Sequence, residues 1–161
     1  MSHLMQVAAV GIGATVCMDI WALLLRRIAG VPSLDYCLLG RWVLHMRHGI
    51  VVHDSIAAAP KQPHECKAGW AAHYSIGVVF AFIFTALVPD GWLDQPRFLP
   101  ALLFGLVTVV VPFFTLQPAL GLGIASSKAR RPGAARIKSA ATHSIFGAGL
   151  YLCAWLLNHL A

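Results

Sequence analysis

The chain has 161 residues, 58% of them apolar and only 11% charged, and its formal net charge is +6. A mean hydropathy of +0.72 is far above that of a soluble domain. Since a helix needs about 20 apolar residues to cross the hydrocarbon layer, the chain has room for one transmembrane domain of four spans and little more. Nucleic-acid binding, which a positive charge would suggest in a soluble protein, is not expected. The basic residues flank hydrophobic runs, where topology and anionic lipid account for them.

The first span is expected over residues 5–25, ending at the pair Arg26 and Arg27. Gly11, Thr15 and Asp19 recur every four residues, so one narrow helical face carries all three and should turn away from lipid. The apolar run is longer than the core of a secretory signal and lacks a basic leader, so it is read as a retained span.

After Pro32, residues 34–46 are too short and too charged to cross a bilayer. They set Leu34, Leu38 and Trp42 on one side, which predicts an amphipathic helix lying in the interface. Residues 47–66 should be mostly loop. His53, His64 and Glu65 there are candidate ligands for zinc or another divalent metal, although their spacing matches no strong template. The four cysteines Cys17, Cys37, Cys66 and Cys153 show no CxxC spacing, and free thiols are expected.

The second span, residues 68–88, repeats Gly69, His73, Gly77 and Ala81 at four-residue intervals, a small-residue stripe that lets helix backbones approach. Pro89, Asp90 and Gly91 predict a tight turn, with Trp92 as an interfacial anchor. The third span, residues 98–118, contains Pro112 and Pro118, each without a backbone donor. A kink at Pro112 and an interruption between Gln117 and Gly123 follow, with Phe113 and Phe114 read as packing residues. A basic loop over residues 124–138 leads to the fourth span, residues 139–160.

Six Lys or Arg lie in the first connection, 26–67, and five in the third, against only Arg97 in the second. The positive-inside rule therefore puts connections one and three in the cytoplasm and both termini outside, in a multi-pass protein of a bacterial inner membrane. The strings AAHYSIG from Ala71 and AATHSIFG from Ala140 also suggest two tandem helical hairpins.

At about 1.5 Å of rise per residue, Asp19 lies roughly 10 Å in from Arg26, His73 roughly 9 Å from Lys67 and His143 roughly 7 Å from Lys138. Gln117 falls in the same half. With Tyr74 and Ser139 beside them, these residues form the expected site: a layer that binds or translocates a small solute or ion, proton or metal. Two other readings stand beside it. In one, the layer is glue in a structural or assembly subunit, in a homo-oligomer or larger membrane complex. In the other, His73 and His143 ligate a haem b, or the layer holds a quinone. No GxSxG, HExxH or phosphate-cradling loop occurs, so no catalytic residue is expected.

The strings GRW at Gly40, HDSI at His53, GWAAHYSIG at Gly69, PFFTLQPALGLGIA at Pro112 and THSIFGAGLY at Thr142 resemble a bacterial membrane-protein family catalogued as domain of unknown function 2938. The resemblance implies a small inner-membrane protein of about four spans. It implies no activity and no site residue.

Overall fold

A computed structural model describes residues 2–160, Leu160 by its backbone alone. Every regular element among them is helical: α1 (His3–Ala29), α2 (Tyr36–Met46), α3 (Glu65–Leu87), α4 (Phe98–Val107), a π-helical turn (Pro112–Leu116), α5 (Gln117–Ala119), a 3-10 turn (Ile124–Ser126) and α6 (Pro132–Leu160). The ends follow local chemistry. The Ser2 side chain accepts from the Met5 N–H at the start of α1, and left-handed Gly30 closes it after Arg26 and Arg27. Asp35 caps α2 by accepting from the Cys37 N–H at 2.9 Å. Pro132 opens α6, where a missing N–H costs nothing.

Four helical stretches are long and apolar enough to cross a membrane: His3–Ala29, Glu65–Leu87, Phe98–Ala119 and Pro132–His159. Their outer faces show what solvent they suit. Ile12, Val16, Ile20 and Leu23 on α1, and Ile76, Val79, Ile83 and Leu87 on α3, form exposed aliphatic stripes at three- and four-residue spacing. In water such stripes would associate or aggregate, whereas in hydrocarbon they are the wetted surface. The chain is an all-α membrane protein with four spans.

The third span breaks where the prolines dictate. The regular ladder of α4 ends at Val107 and the chain passes through the π-helical turn, which begins at Pro112. Pro118 brings no N–H, and the turn after α5 needs positive φ at Gly121 (88°) and Gly123 (71°).

The chain divides into two compact units, Met1–Ser33 with Tyr74–Thr108 and Ala140–Ala161, and Leu34–His73 with Val109–Ser139. In the first unit Val7, Val10, Ala14, Ala81, Phe84, Ala101, Phe146 and Leu150 make the core. Trp92, expected as an interfacial anchor, is instead part of this core, only 6% exposed and edge-on to Phe84 at 4.6 Å. Asn158 draws the turn containing it onto α6 by donating to the carbonyls of Leu93 and Asp94.

Backbone contact sets the helix spacing in this unit. A Cβ on Gly105 of α4 would lie 2.5 Å from the Cα of Gly147 on α6, and one on Gly77 of α3 would strike the Thr15 hydroxyl. Gly77 and Ala81, the later half of the small-residue stripe of the second span, thus meet the Gly11 and Thr15 face of the first, the face expected to avoid lipid.

The second unit is held by α2 against the start of α3. A Cβ on Gly40 would overlap the Glu65 carbonyl, and one on Gly69 the Tyr36 carbonyl, so the two backbones touch. That approach joins Cys37 to Cys66 in a disulfide, which corrects the expectation of four free thiols. Among the described residues, Cys17 and Cys153 are the free cysteines. The 29-residue separation fits no sequence template, and the pairing arises from the glycine contact one turn along each helix.

Candidate functional site

In the first unit, Asp19 accepts a hydrogen bond from the Tyr74 hydroxyl at 2.9 Å. The pair joins α1 to α3 inside stretches of membrane-crossing length, and Asp19 remains partly accessible. A phenol donor stabilises a carboxylate without neutralising it, so the oxygen can still accept a proton or a cation.

His143 of α6 lies with Nδ1 2.8 Å from the Thr108 hydroxyl oxygen. The hydroxyl proton is committed to the Gly105 carbonyl. With that proton on the carbonyl, His143 Nδ1 is the donor to the hydroxyl oxygen. The Gly105 and Gly147 contact is what brings α6 close enough for this bond.

In the second unit, His73 stacks on Tyr36 with ring centroids 4.1 Å apart, and Trp70 packs edge-on to the same imidazole. Gln117 follows the π-helical turn and is 92% buried, its Nε2 donating to the Ser139 hydroxyl at 3.4 Å. Its Oε1 is buried with no hydrogen-bond partner. An orphan amide oxygen of this kind costs about 1–3 kcal/mol, and a bound donor would recover it. Of the four residues expected in one layer, Asp19 and His143 belong to the first unit and His73 and Gln117 to the second.

The loop residues are engaged differently from the sequence reading. Glu65 takes a bidentate pair from buried Arg41, Nε to Oε2 at 2.9 Å and Nη2 to Oε1 at 2.8 Å. Arg41 Nη1 also donates to the carbonyls of Ile56, Ala57 and Ala59, so one guanidinium gathers the loop before α3. Hydrogen bonding to Glu65 raises the Arg41 pKa further, against the lowering effect of burial.

His53 Nε2 lies 2.9 Å from His45 Nδ1, and His45 Nε2 lies 3.0 Å from the Pro60 carbonyl. The Gln62 side-chain amide nitrogen also lies 3.1 Å from His45 Nε2, so three polar groups meet this imidazole and its tautomer sets which of them donate. His64 is exposed at the entry to α3, with φ of 61°. Among the described residues no three His, Cys, Asp or Glu side chains converge on a metal position. His53, His64 and Glu65 are thus not drawn together as ligands.

Two of the singled-out strings meet in this unit. The His53 N–H donates to the Ala119 carbonyl at 2.9 Å and the Ile56 N–H to the Leu120 carbonyl at 3.1 Å, pairing HDSI with QPALG. Gly121 completes the fit, because a side chain there would overlap the Asp54 carbonyl. Sequence reasoning missed Arg41, His45, Thr108 and Tyr36. Arg41 alone left a signal, as a charged residue between Gly40 and Trp42 on a helix expected to bury an apolar side.

These features define a four-span helical membrane protein with partnered polar side chains in its spans and a second polar node on the loop before α3. The chain belongs to a family described as a protein of unknown function, DUF2938, whose model matches residues 8–157. No curated protein and no solved structure matches it.

Proposed function

We propose that the protein binds a small cation or a proton within the membrane, and passes it across, with Asp19 as the accepting group. The observation that carries this reading is the Asp19 carboxylate held by the Tyr74 hydroxyl in membrane-length helices. An aspartate at such a position costs about 2.5–3.5 kcal/mol on insertion scales, and intramembrane ionisable groups are by default functional. His143 in the first unit adds an imidazole held against Thr108. In the second unit the Gln117 amide with Ser139, and His73, offer further polar contacts. The lipid bilayer is the immediate partner, and an oligomer would supply the wall that four helices lack. The His73 and His143 contacts give the haem and quinone readings no support.

The test is flux into proteoliposomes loaded with a pH-sensitive or cation-sensitive dye. Asp19→Asn should lower the rate at least about tenfold, which corresponds to about 1.4 kcal/mol, and Tyr74→Phe should lower it less. Unchanged flux in folded Asp19→Asn overturns the reading and leaves the second one, an assembly subunit whose polar pairs tie helices together. The His143 bond to Thr108 at a glycine contact favours that alternative.

The proposed location is a bacterial inner membrane with both termini outside, since eleven Lys or Arg flank the spans in connections one and three against one in connection two. The Cys37–Cys66 disulfide argues the other way, because such bonds persist in oxidising compartments. Eleven charges outweigh one bond during insertion, and exposed Cys66 leaves that bond open to cytosolic thiols. A C-terminal fusion to a reporter active only in the periplasm should be active, and an inactive one reverses the orientation.

A further inference from the structure

On α1 the residues from Gly13 to Cys17 read Gly-Ala-Thr-Val-Cys, and on α6 those from Gly149 to Cys153 read Gly-Leu-Tyr-Leu-Cys. Both are Gly-x-x-x-Cys, with glycine and cysteine one turn apart on the same helical face. The two strings cross reciprocally. A Cβ on Gly13 would fall 2.5 Å from Cys153 Sγ, and one on Gly149 would fall 3.1 Å from Cys17 Cβ. Cys153 therefore sits in the notch left by Gly13 of the opposite helix, and Cys17 lies with the Ala14 backbone against Gly149. Both are free and half-buried, inside stretches of membrane-crossing length.

We propose that Cys17 and Cys153 form a two-coordinate site for a soft monovalent cation, Cu(I) or Ag(I). Thiolate sulfur selects such ions over hard ones, and linear coordination needs only two donors. A zinc site needs three or four ligands, and among the described residues no third His, Cys, Asp or Glu joins the pair. On binding, one thiol releases its proton to solvent and its thiolate forms the first metal–sulfur bond. The second thiol keeps its proton and donates a sulfur lone pair. The charges cancel, which suits a low-dielectric surrounding, and no electron is transferred. This proposal is independent of Asp19.

The experiment uses the full chain in detergent under argon, carrying Cys37→Ser and Cys66→Ser so that Cys17 and Cys153 are the sole thiols. Cu(I) is supplied from a chromogenic chelator that competes for it. The background protein should withdraw one Cu(I) per chain, and Cys17→Ala or Cys153→Ala should each weaken retention at least about tenfold. X-ray absorption should show a two-sulfur shell. Metal-free melting confirms that the variants fold. Gly13→Ala, which crowds Cys153 while keeping both thiols, should also weaken retention. Failure of the background protein to withdraw Cu(I), retention equal to that of the alanine variants, or a shell of nitrogen and oxygen overturns the proposal.

Discussion

Gly147→Ala tests whether backbone contact sets the spacing of α4 and α6. The new methyl would strike the Ala101 carbonyl oxygen and lie 2.9 Å from the Leu102 Cα. Neither is the end of a flexible side chain, so the helices must part, by an amount on the order of 1 Å, a gap that forfeits a quarter to a half of the local dispersion energy. With about 20 atom pairs at 0.1–0.2 kcal/mol each, that loss is about 1 kcal/mol. Overpacking strain adds about 1–3 kcal/mol, and the better helix propensity of alanine returns about 1 kcal/mol. The net expectation is a loss of about 2 kcal/mol. Reversible unfolding in mixed micelles, followed by circular dichroism, measures it. Gly133→Ala is the control, because a Cβ there meets nothing within 4 Å. It should match the parent or exceed it by up to about 1 kcal/mol, the propensity gain alone. If Gly147→Ala unfolds at the same denaturant fraction as Gly133→Ala, α4 and α6 are not held at backbone contact, and the reasoning that places His143 against Thr108 fails with it.

Arg41→Met leaves the part-buried Glu65 carboxylate without its cation and should cost about 3 kcal/mol, the low end for breaking a buried pair. Adding Glu65→Leu should recover much of that, and a double variant as unstable as the single one would remove the ion pair from the account. A double-mutant cycle of Thr108→Val with His143→Phe should give a coupling of about 0.6 kcal/mol, at most about 1.7 kcal/mol. A coupling of zero would mean that the side chains do not meet in the membrane. Reducing the Cys37–Cys66 bond, which closes a separation of 29 residues, should lower stability by about 3–4 kcal/mol if the chain-entropy argument holds. Hydrogen exchange should show the loosening in α2 and residues 47–64, and protection unchanged there would show that Arg41 and the glycine contact suffice.

The sequence by itself determined the solvent and the rods. Runs of about 20 apolar residues are a one-dimensional property, because the hydrocarbon layer demands satisfied backbone groups wherever it is crossed, so hydropathy alone located four spans. The prolines located the break in the third by the same local logic, since a missing N–H acts wherever the residue stands. Even the Gly11, Thr15 and Asp19 face was legible from spacing, as was Gln117 as a polar group beside an interrupted helix. Only the tertiary structure decided the partners. Asp19 finds Tyr74, Cys37 finds Cys66 and the HDSI string finds QPALG, across separations that periodicity does not sense. The same limit misplaced Trp92. Its amphipathic indole suits the interface as well as a core, and the choice fell to the space left beside Phe84. Contacts of this kind depend on how closely two backbones can approach, which is set by glycines on both helices together and by neither sequence string alone.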